Sequence, residues 1–335
     1  MRVAALQLFA TPFDRERNTA TAGRLARAAV EQGAQLLVLP ELFNLGYVYN
    51  PRLTQSAEDE GGPTVTWMRA QSAALGAHLA GSLLLRRAGR VTDAFVLAAP
   101  DGGLHIAEKR HPFLWERCYF EPGSGPAIAE TALGRLGLLV GWDAVHPASR
   151  SWAALAGRVD TVLVASAAVR WHRAVLNFPG AHKVYLAQLM PALLRERDAL
   201  DELYSSHLAA CAASLGVPVL QAVMAGRFVT QLPLARFSLL CAAWRRPRYW
   251  PLARQAHLAS LRATFYGGSA IYDARGAKLA AAPGEEGSAV AELPTAGQPG
   301  PARRAPRPRL PRELAIFERL LRPLAAGAYN RYKVA

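Results

Sequence analysis

Three charged side chains stand where they could carry out acid–base chemistry on a bound molecule. Glu41 directly follows the apolar run 36–39, which predicts a strand buried on both faces. Ligands of open α/β sheets bind beyond the carboxyl ends of the strands, so Glu41 is placed to act as a general base. Lys109 follows the predicted strand 104–106, and Glu116 lies in the loop that comes next. We expect these three groups to share one edge of the sheet.

Taken singly, each of these residues has an ordinary structural explanation. Glu41 alone is more simply a helix cap or a rim ion pair, and the loop around Glu116 a solvated turn. Lys109 is more informative, because lysine accounts for only four of the 39 basic residues and the other 35 are arginine. A lysine in this setting suggests that a compact ammonium group with an adjustable pKa is required.

The elements around these residues predict an α/β fold with a central buried sheet. Short apolar runs alternate with helical periodicity, which is typical of layered α/β proteins. Strands are predicted at 3–9, 35–39, 78–85, 94–99, 104–106, 135–140, 161–165 and 217–223, and helices at 18–32, 63–75, 148–156 and 203–215.

Four segments together resemble one known family. They are LPELF around Glu41, EKRH around Lys109, WERCYFEPG around Glu116 and FYGGSAIYDARG at 265–276. In this order, and over most of residues 1–285, they are similar to the nitrilase superfamily of carbon–nitrogen hydrolases. The resemblance implies a four-layer α-β-β-α sandwich, commonly a homodimer, and a small amide, nitrile or amine ligand.

The resemblance also implies a role for each of the three charged residues. Glu41 matches the general base, Lys109 the ammonium that stabilises the tetrahedral intermediate, and Glu116 the glutamate that orients base and substrate. Family members attack the substrate carbon with a cysteine thiolate, and water then hydrolyses the resulting thioester.

The sequence departs from this pattern at the nucleophile. The segment Val140-Gly141-Trp142-Asp143 matches the family's strand-to-helix turn, and it has glycine where the family has cysteine. Glycine tolerates such a strained turn. By the same matching, Trp142, Asp143, His111 and His146 are expected to line the substrate pocket.

Three functions remain open at this point. The favoured one is a ligand-binding pseudoenzyme that retains Glu41, Lys109 and Glu116. The first alternative is an active amidohydrolase on a small amide, nitrile or carbamoyl compound, using water activated by Glu41 or the displaced thiol of Cys118. The second is a scaffold that associates with a membrane or a partner through a basic insertion.

Composition excludes several other classes. Three cysteines in 335 residues are too few for a disulfide framework, which indicates a reducing, cytoplasmic location. Neither the eight histidines nor any glycine-rich motif predicts a metal or cofactor site. The formal charge is +14, yet no nucleic-acid-binding module is present, so we expect no nucleic-acid partner. No apolar run approaches the ~20 residues that span a bilayer, and we expect a soluble, unprocessed chain.

The chain divides into a hydrolase-like domain at 1–290, a Pro/Arg-rich linker at 291–312, and a C-terminal helix and tail at 313–335. Within the domain, 228–264 forms an insertion with six arginines, four aromatic residues near them and no acidic residue. A lid over the pocket, a dimer contact and an interfacial membrane helix all fit this composition. The first two are favoured, since prolines divide the insertion into short helical pieces.

Overall fold

The alternating pattern produces a layered α/β structure. The computed structural model describes residues 1–293, 305–308 and 312–334. In chain order its strands are β1 Arg2–Gln7, β2 Leu36–Val38, β3 His78–Arg87, β4 Arg90–Ala98, β5 Leu104–Glu108, β6 Ala127–Thr131, β7 Gly134–Val140, β8 Thr161–Ser166, β9 Val175–Asn177, β10 Lys183–Tyr185, β11 Val219–Val223, β12 Arg227–Gln231, β13 Ser260–Thr264, β14 Ala270–Tyr272, β15 Lys278–Ala281 and β16 Gly287–Glu292.

The structure describes more helices than the sequence pattern predicts, and most of the additional ones are short. The α-helices are α1 Arg15–Glu31, α2 Arg52–Gln55, α3 Pro63–Leu75, α4 Ser151–Leu155, α5 Leu186–Leu189, α6 Ala192–Arg195, α7 Arg197–Glu202, α8 Ser206–Leu215, α9 Ala235–Ala242 and α10 Arg312–Val334. Short 3₁₀ segments occur at Leu114–Cys118, Gly141–Ala144, Trp171–Arg173, Pro179–Ala181, Pro247–Arg254 and Ala256–Leu258. Across the described ranges, none of these helices combines the length and apolarity needed to cross a membrane.

Two sheets pack face to face and form the centre of the molecule. Among the described residues, one sheet has the order β16-β1-β2-β3-β4-β5 and the other β15-β14-β11-β8-β7-β6. Strands β1, β2 and β3 of the first sheet pair in parallel, as do β7, β8 and β11 of the second, and the other pairings within these two sheets are antiparallel. Apolar side chains such as Val38, Phe95, Leu138 and Leu163 fill the space between the sheets. Helices α1 and α3 cover the outer face of the first sheet and α8 packs on β11 of the second, so the predicted four-layer α-β-β-α architecture is confirmed.

The insertion differs from its predicted structure. Its two ends are strands, β12 and β13, which pair with each other and join β9 and β10 in a small third sheet. Only the middle of the insertion is helical. Alternating exposure along β12 explains the difference, because one face of this strand is buried and the other is open to solvent.

The predicted domain boundary at 290 falls inside β16, which extends to Glu292 and pairs with β1 along its whole length. Most of the predicted linker at 291–312 lies outside the described residues. The predicted C-terminal helix is present and runs from residue 312 to residue 334, continuing through Pro323.

Helix α10 packs against the turn that carries Glu116. Phe317 contacts Trp115 edge to face with 5.6 Å between ring centroids, and Tyr332 stacks on Tyr119 at 5.9 Å. The Tyr329 hydroxyl accepts a hydrogen bond from the backbone N–H of Val91. The helix is therefore an integral part of the structure around the Glu116 turn.

Because Phe317 is buried at this contact, we expect Phe317→Ala to lower the free energy of unfolding by about 3 kcal/mol. Ile316→Ala, at a neighbouring residue that is 49% exposed, should change it by less than about 0.5 kcal/mol. Urea unfolding of both variants measures this. Equal losses would mean that the helix does not pack as described.

Candidate functional site

Glu41, Lys109 and Glu116 meet inside the protein, as predicted. The Lys109 ammonium lies 2.5 Å from Glu41 Oε1 and 2.6 Å from Glu116 Oε2. All three side chains are almost completely removed from solvent. The site is thus a buried ammonium group held between two carboxylates.

Strand ends and tight turns place these groups. Glu41 follows β2, and Lys109 follows β5. Glu116 belongs to a 3₁₀ turn in which it accepts a hydrogen bond from the backbone N–H of Phe113 at 2.6 Å. The backbone is in the left-handed region next to both glutamates, with φ +49° at Leu42 and +42° at Leu114. Such strain in non-glycine residues is concentrated at functional sites.

A third carboxylate, Asp93, lies close to the same ammonium. Its Oδ2 is 3.8 Å from Lys109 Nζ, and its Oδ1 accepts a hydrogen bond from the Ser82 hydroxyl. Asp93 interrupts an otherwise apolar stretch of β4 and is fully buried. A charged residue inside a buried strand is a sequence signal, but Asp93 was not identified from it.

Burial and mutual charge shift the proton affinities of this cluster. Burial raises the pKa of Asp93 well above its usual value, and the charge of Glu41 adds to the effect. Burial also raises the pKa of Glu116, against the opposing effect of Lys109. Burial by itself would lower the pKa of Lys109, but the carboxylates of Glu116, Glu41 and Asp93 raise it well above the usual value. Lys109 is therefore charged at neutral pH.

Tyr47 completes the hydrogen bonding of Glu116 and was not identified from the sequence. Its hydroxyl donates to Glu116 Oε1. Burial, reinforced by the charge of Glu116, raises the pKa of Tyr47 well above its usual value. The phenol therefore remains protonated and acts as a hydrogen-bond donor.

The cluster opens into a small cavity of about 40 Å³. This volume exceeds the ~10–15 Å³ that a cavity needs to hold one water molecule, and it suits a ligand of a few heavy atoms. Its walls combine the charged groups with aromatic and aliphatic side chains: Glu41, Tyr47, Lys109, Phe113, Glu116, Trp142, Ala167, Ala168, Val169, Trp171, Leu200, Leu203, Tyr204, Tyr266 and Leu314.

Gly141 lies behind the Glu41 carboxylate at the end of β7, with φ +41°. A Cβ atom built at Gly141 would lie 2.9 Å from Glu41 Cδ and still closer to Oε2. That oxygen instead accepts a hydrogen bond of 2.9 Å from the backbone N–H of Ala167. The carboxylate thus occupies the space that a side chain at position 141 would need.

Trp142 is the next residue and lines the cavity. Its indole Nε1 is buried and has no hydrogen-bond partner among the described residues. A buried donor without an acceptor is costly, by about 1–3 kcal/mol. Trp142 therefore has an unpaired buried donor and also lines the cavity.

Three residues predicted to line the pocket lie outside it. Asp143 accepts hydrogen bonds from the backbone N–H groups of Arg110 and His111 at 2.7 and 2.8 Å, which fixes the chain just after Lys109. His111 Nδ1 lies 2.7 Å from Asp143 Oδ1, and the His111 ring stacks on His146 at 4.6 Å. The structure places these three residues beside the loop after Lys109 and not among the residues that line the cavity, and their role in substrate binding stays a prediction.

Cys118 also lies away from the cavity lining. It is buried in the hydrophobic core close to helix α10, and burial raises the pKa of its thiol to about 12. Burial likewise raises the pKa of Cys211 to about 12 and shifts that of Cys241 upwards. All three side chains favour the protonated thiol at neutral pH.

The insertion contributes no residue to the described cavity wall, so it is not the lid that the sequence suggested. The wall on that side comes from α7 and the following turn (Leu200, Leu203 and Tyr204) and from Leu314 of α10. In the part of the chain that the structure describes, no group of three His, Cys, Asp or Glu residues is arranged to hold a metal ion.

The sandwich and its buried Glu–Lys–Glu cluster define a protein of the carbon–nitrogen hydrolase type. Residues 2–186, more than half of the chain, match the model of the carbon-nitrogen hydrolase family, and the chain belongs to this family.

Its relatives have different activities. The chain is 28% identical over 163 residues to a nitrilase from Pyrococcus abyssi, a match covering 47% of this chain and 62% of that protein. It is 31% identical over 170 residues to an N-carbamoylputrescine amidase from Solanum tuberosum, covering 46% and 55% of the two chains. The matches therefore span less than two thirds of the relatives' lengths.

A solved amidase from Nesterenkonia sp. AN1, in a cysteine-to-serine form, shares the fold. Its TM-score is 0.62 with 24% identity, covering 88% of this chain and 92% of that one. Another structure of this amidase has acrylamide added at its active-site cysteine, with a TM-score of 0.61 at 23% identity over 88% and 93% of the two chains.

Replacing the central ammonium tests the cluster. Lys109→Met leaves two buried carboxylates unpaired, and we expect it to lower the free energy of unfolding by about 3–5 kcal/mol. Lys183→Met, at an exposed lysine, should have almost no effect. Urea unfolding at pH 7 measures both variants. A loss at Lys109 no larger than at Lys183 would contradict the buried ion cluster.

The histidine pair predicts a pH dependence of stability. Burial, with a contribution from the neighbouring His111, lowers the pKa of His146 from 6.5 to about 4. Between these pH values the unfolded chain binds a proton at His146 that the folded chain does not, so this residue makes the free energy of unfolding rise with pH. We expect His146→Gln to reduce the slope between pH 4 and pH 6.5, measured by urea unfolding. His257→Gln, at an exposed position, is the matched control, and identical slopes in the two variants would contradict the assignment.

Proposed function

We propose that this protein is a carbon–nitrogen hydrolase-like pseudoenzyme that binds a small polar ligand at the Glu41–Lys109–Glu116 cluster. In this proposal Gly141 occupies the position of the family's nucleophilic cysteine. The single observation that carries it is the geometry at Gly141. This residue has no side-chain nucleophile, and a Cβ atom built on it would lie only 2.9 Å from Glu41 Cδ.

The remaining thiols support the same conclusion. Nucleophilic attack requires a thiolate, and reactive cysteines have a lowered pKa and partial exposure. Cys118 has a raised pKa and a fully buried side chain, and Cys211 shares both properties. Neither residue is therefore suited to replace the family's nucleophilic cysteine. The third cysteine, Cys241, lies in the insertion.

The principal alternative is an active amidohydrolase in which Glu41 activates a water molecule. Relatives named nitrilase and N-carbamoylputrescine amidase would suggest a nitrile, amide or carbamoyl substrate. Both Glu41 oxygens, however, already accept hydrogen bonds, from Lys109 and from the backbone of Ala167. Without a covalent nucleophile, oxyanion stabilisation and binding leave only ~10³–10⁴ over the uncatalysed rate. For an amide, this remainder gives almost no turnover.

The cavity favours an amide or amine of a few heavy atoms. The unpartnered Trp142 indole N–H suits a carbonyl oxygen, and the carboxylates of Glu41 and Glu116 suit an N–H group. The net charge of the Glu41–Lys109–Glu116 cluster also favours such a ligand. The carboxylates of Glu41 and Glu116 contact one ammonium, and the excess negative charge attracts a donor-rich or cationic nitrogen.

Product release and ligand binding test the proposal together. We expect the native protein to release no ammonia from acetamide, propionamide or acetonitrile above the buffer blank. The same amides and methylamine should raise its melting temperature, and Glu41→Gln and Trp142→Phe should lose part or all of this rise. Glu130→Gln, at an exposed carboxylate, is the matched control.

Gly141→Cys is the informative companion variant. The added Cβ has an unfavourable φ and meets Glu41, so we expect a lower melting temperature, equivalent to about 1–3 kcal/mol of strain. Ammonia release that appears only in this variant would support an otherwise intact site. Turnover by the native protein that Glu41→Gln abolishes would overturn the proposal in favour of a water-based hydrolase.

A further inference from the structure

A large groove lies between the insertion and helix α10, lined by a residue set separate from that of the Glu–Lys–Glu cavity. Its volume is about 750 Å³, and its walls include Phe237, Leu240 and Trp244 of the insertion and Ile316 and Leu320 of α10. We refer to these five residues and the surface around them as the insertion groove. No described residue lines both this groove and the small cavity.

The insertion groove exposes large apolar side chains. Trp244 is 56% exposed, and Ile316 and Leu320 are 49% and 48% exposed. With Leu324, the two α10 residues form a stripe at four-residue spacing, so they lie on one side of the helix. An adjacent side of α10, with Phe317 and Leu321, is buried against the protein, and Phe317 also forms part of the groove wall. Helix α10 thus has two apolar stripes, and only one of them is packed against the protein.

Arginine side chains surround this apolar surface. Arg245 and Arg246 belong to the groove wall, and the guanidinium group of Arg245 lies 5.3 Å from the centre of the Trp244 ring. Trp250, nearby in the chain, is 48% exposed. Arginine and tryptophan beside an apolar surface are typical of side chains at the headgroup level of a lipid layer.

The charge of the groove selects the partner. The insertion has six arginines and no acidic residue, whereas α10 carries both signs near the groove, with Glu318 beside Arg319 and Arg322. A second copy of the chain docking symmetrically would bring the same arginines face to face, and like charges in an interface are unfavourable. An anionic lipid layer supplies negative headgroups and acyl chains together.

We propose that the insertion groove docks on an anionic lipid bilayer and takes up an acyl chain between Trp244 and the Ile316–Leu320 stripe of α10. Arg245 and Arg246 then face the headgroup phosphates, with Trp244 between them and the acyl region. The protein lies on the bilayer surface, and the cavity at Glu41 is not required for the contact. Failure of this proposal therefore leaves the proposed function unaffected.

Sedimentation with vesicles tests the proposal on the full chain. We expect the protein to bind phosphatidylcholine vesicles containing phosphatidylglycerol at about 0.01 M salt and to be released at about 1 M, where the screening length falls from roughly 30 to 3 Å. Vesicles of phosphatidylcholine alone should bind at least tenfold more weakly, on the order of what several arginine–headgroup contacts contribute. Failure to bind the anionic vesicles at low salt would overturn the proposal.

Matched variants separate this surface from the overall positive charge. Arg245→Glu/Arg246→Glu should reduce binding at least roughly tenfold, whereas Arg27→Glu/Arg158→Glu, an equal charge change at exposed residues of other elements, should retain most of it. Trp244→Ser should weaken binding more than Leu279→Ser, which removes a similarly exposed apolar residue on β15. Equal losses within either pair would overturn the proposal, as would a dimer that Trp244→Ser converts to monomer without any lipid binding.

Discussion

The central constraint of this structure is the burial of one ammonium group among three carboxylates. Removing an ion from water costs several kcal/mol even after relaxation, and only close, well-formed pairing offsets that cost. Lys109 obtains its partners from elements that are distant in sequence: Glu41 after β2, Asp93 within β4 and Glu116 in a 3₁₀ turn. That turn is itself held by Tyr47 and by the packing of α10. The position of each of these elements is therefore tied to a single charge.

Local chemistry determined which parts of this arrangement could be predicted from the sequence. Strands such as β7 and β8 were predictable because continuous apolar runs leave few alternatives in an α/β protein. Glu41, Lys109 and Glu116 were predictable because each follows such a strand or its loop in a segment that resembles a family. Asp143 shows the limit: its type and position fit a pocket, but only the three-dimensional path of the chain shows that it binds the backbone of residues 110 and 111.

Contacts between remote segments were out of reach for the same reason. Leu314 closes the cavity although it is about 200 positions beyond Glu116, and no local pattern connects the two. The insertion was predicted to consist of short helical pieces divided by prolines, yet its ends pair as β12 and β13. Pairing between strands depends on what lies alongside them, and a single sequence does not state this. Fold and chemistry are thus separable here: the family's framework is retained, while in our proposal its nucleophile position holds glycine.

The pairing of β1 with β16 has a consequence for how the chain is made. β1 lies between β2 and β16, so one of its edges remains without hydrogen-bond partners until the last strand of the domain exists. About 280 residues separate the two strands, and at ~5–20 residues per second synthesis of that interval takes on the order of 14 to 56 s. An apolar strand with an open edge is a template for unwanted association throughout this time. β1 is therefore synthesised long before its second edge is paired, and during that interval its protection comes from chaperones or the ribosome and not from the fold.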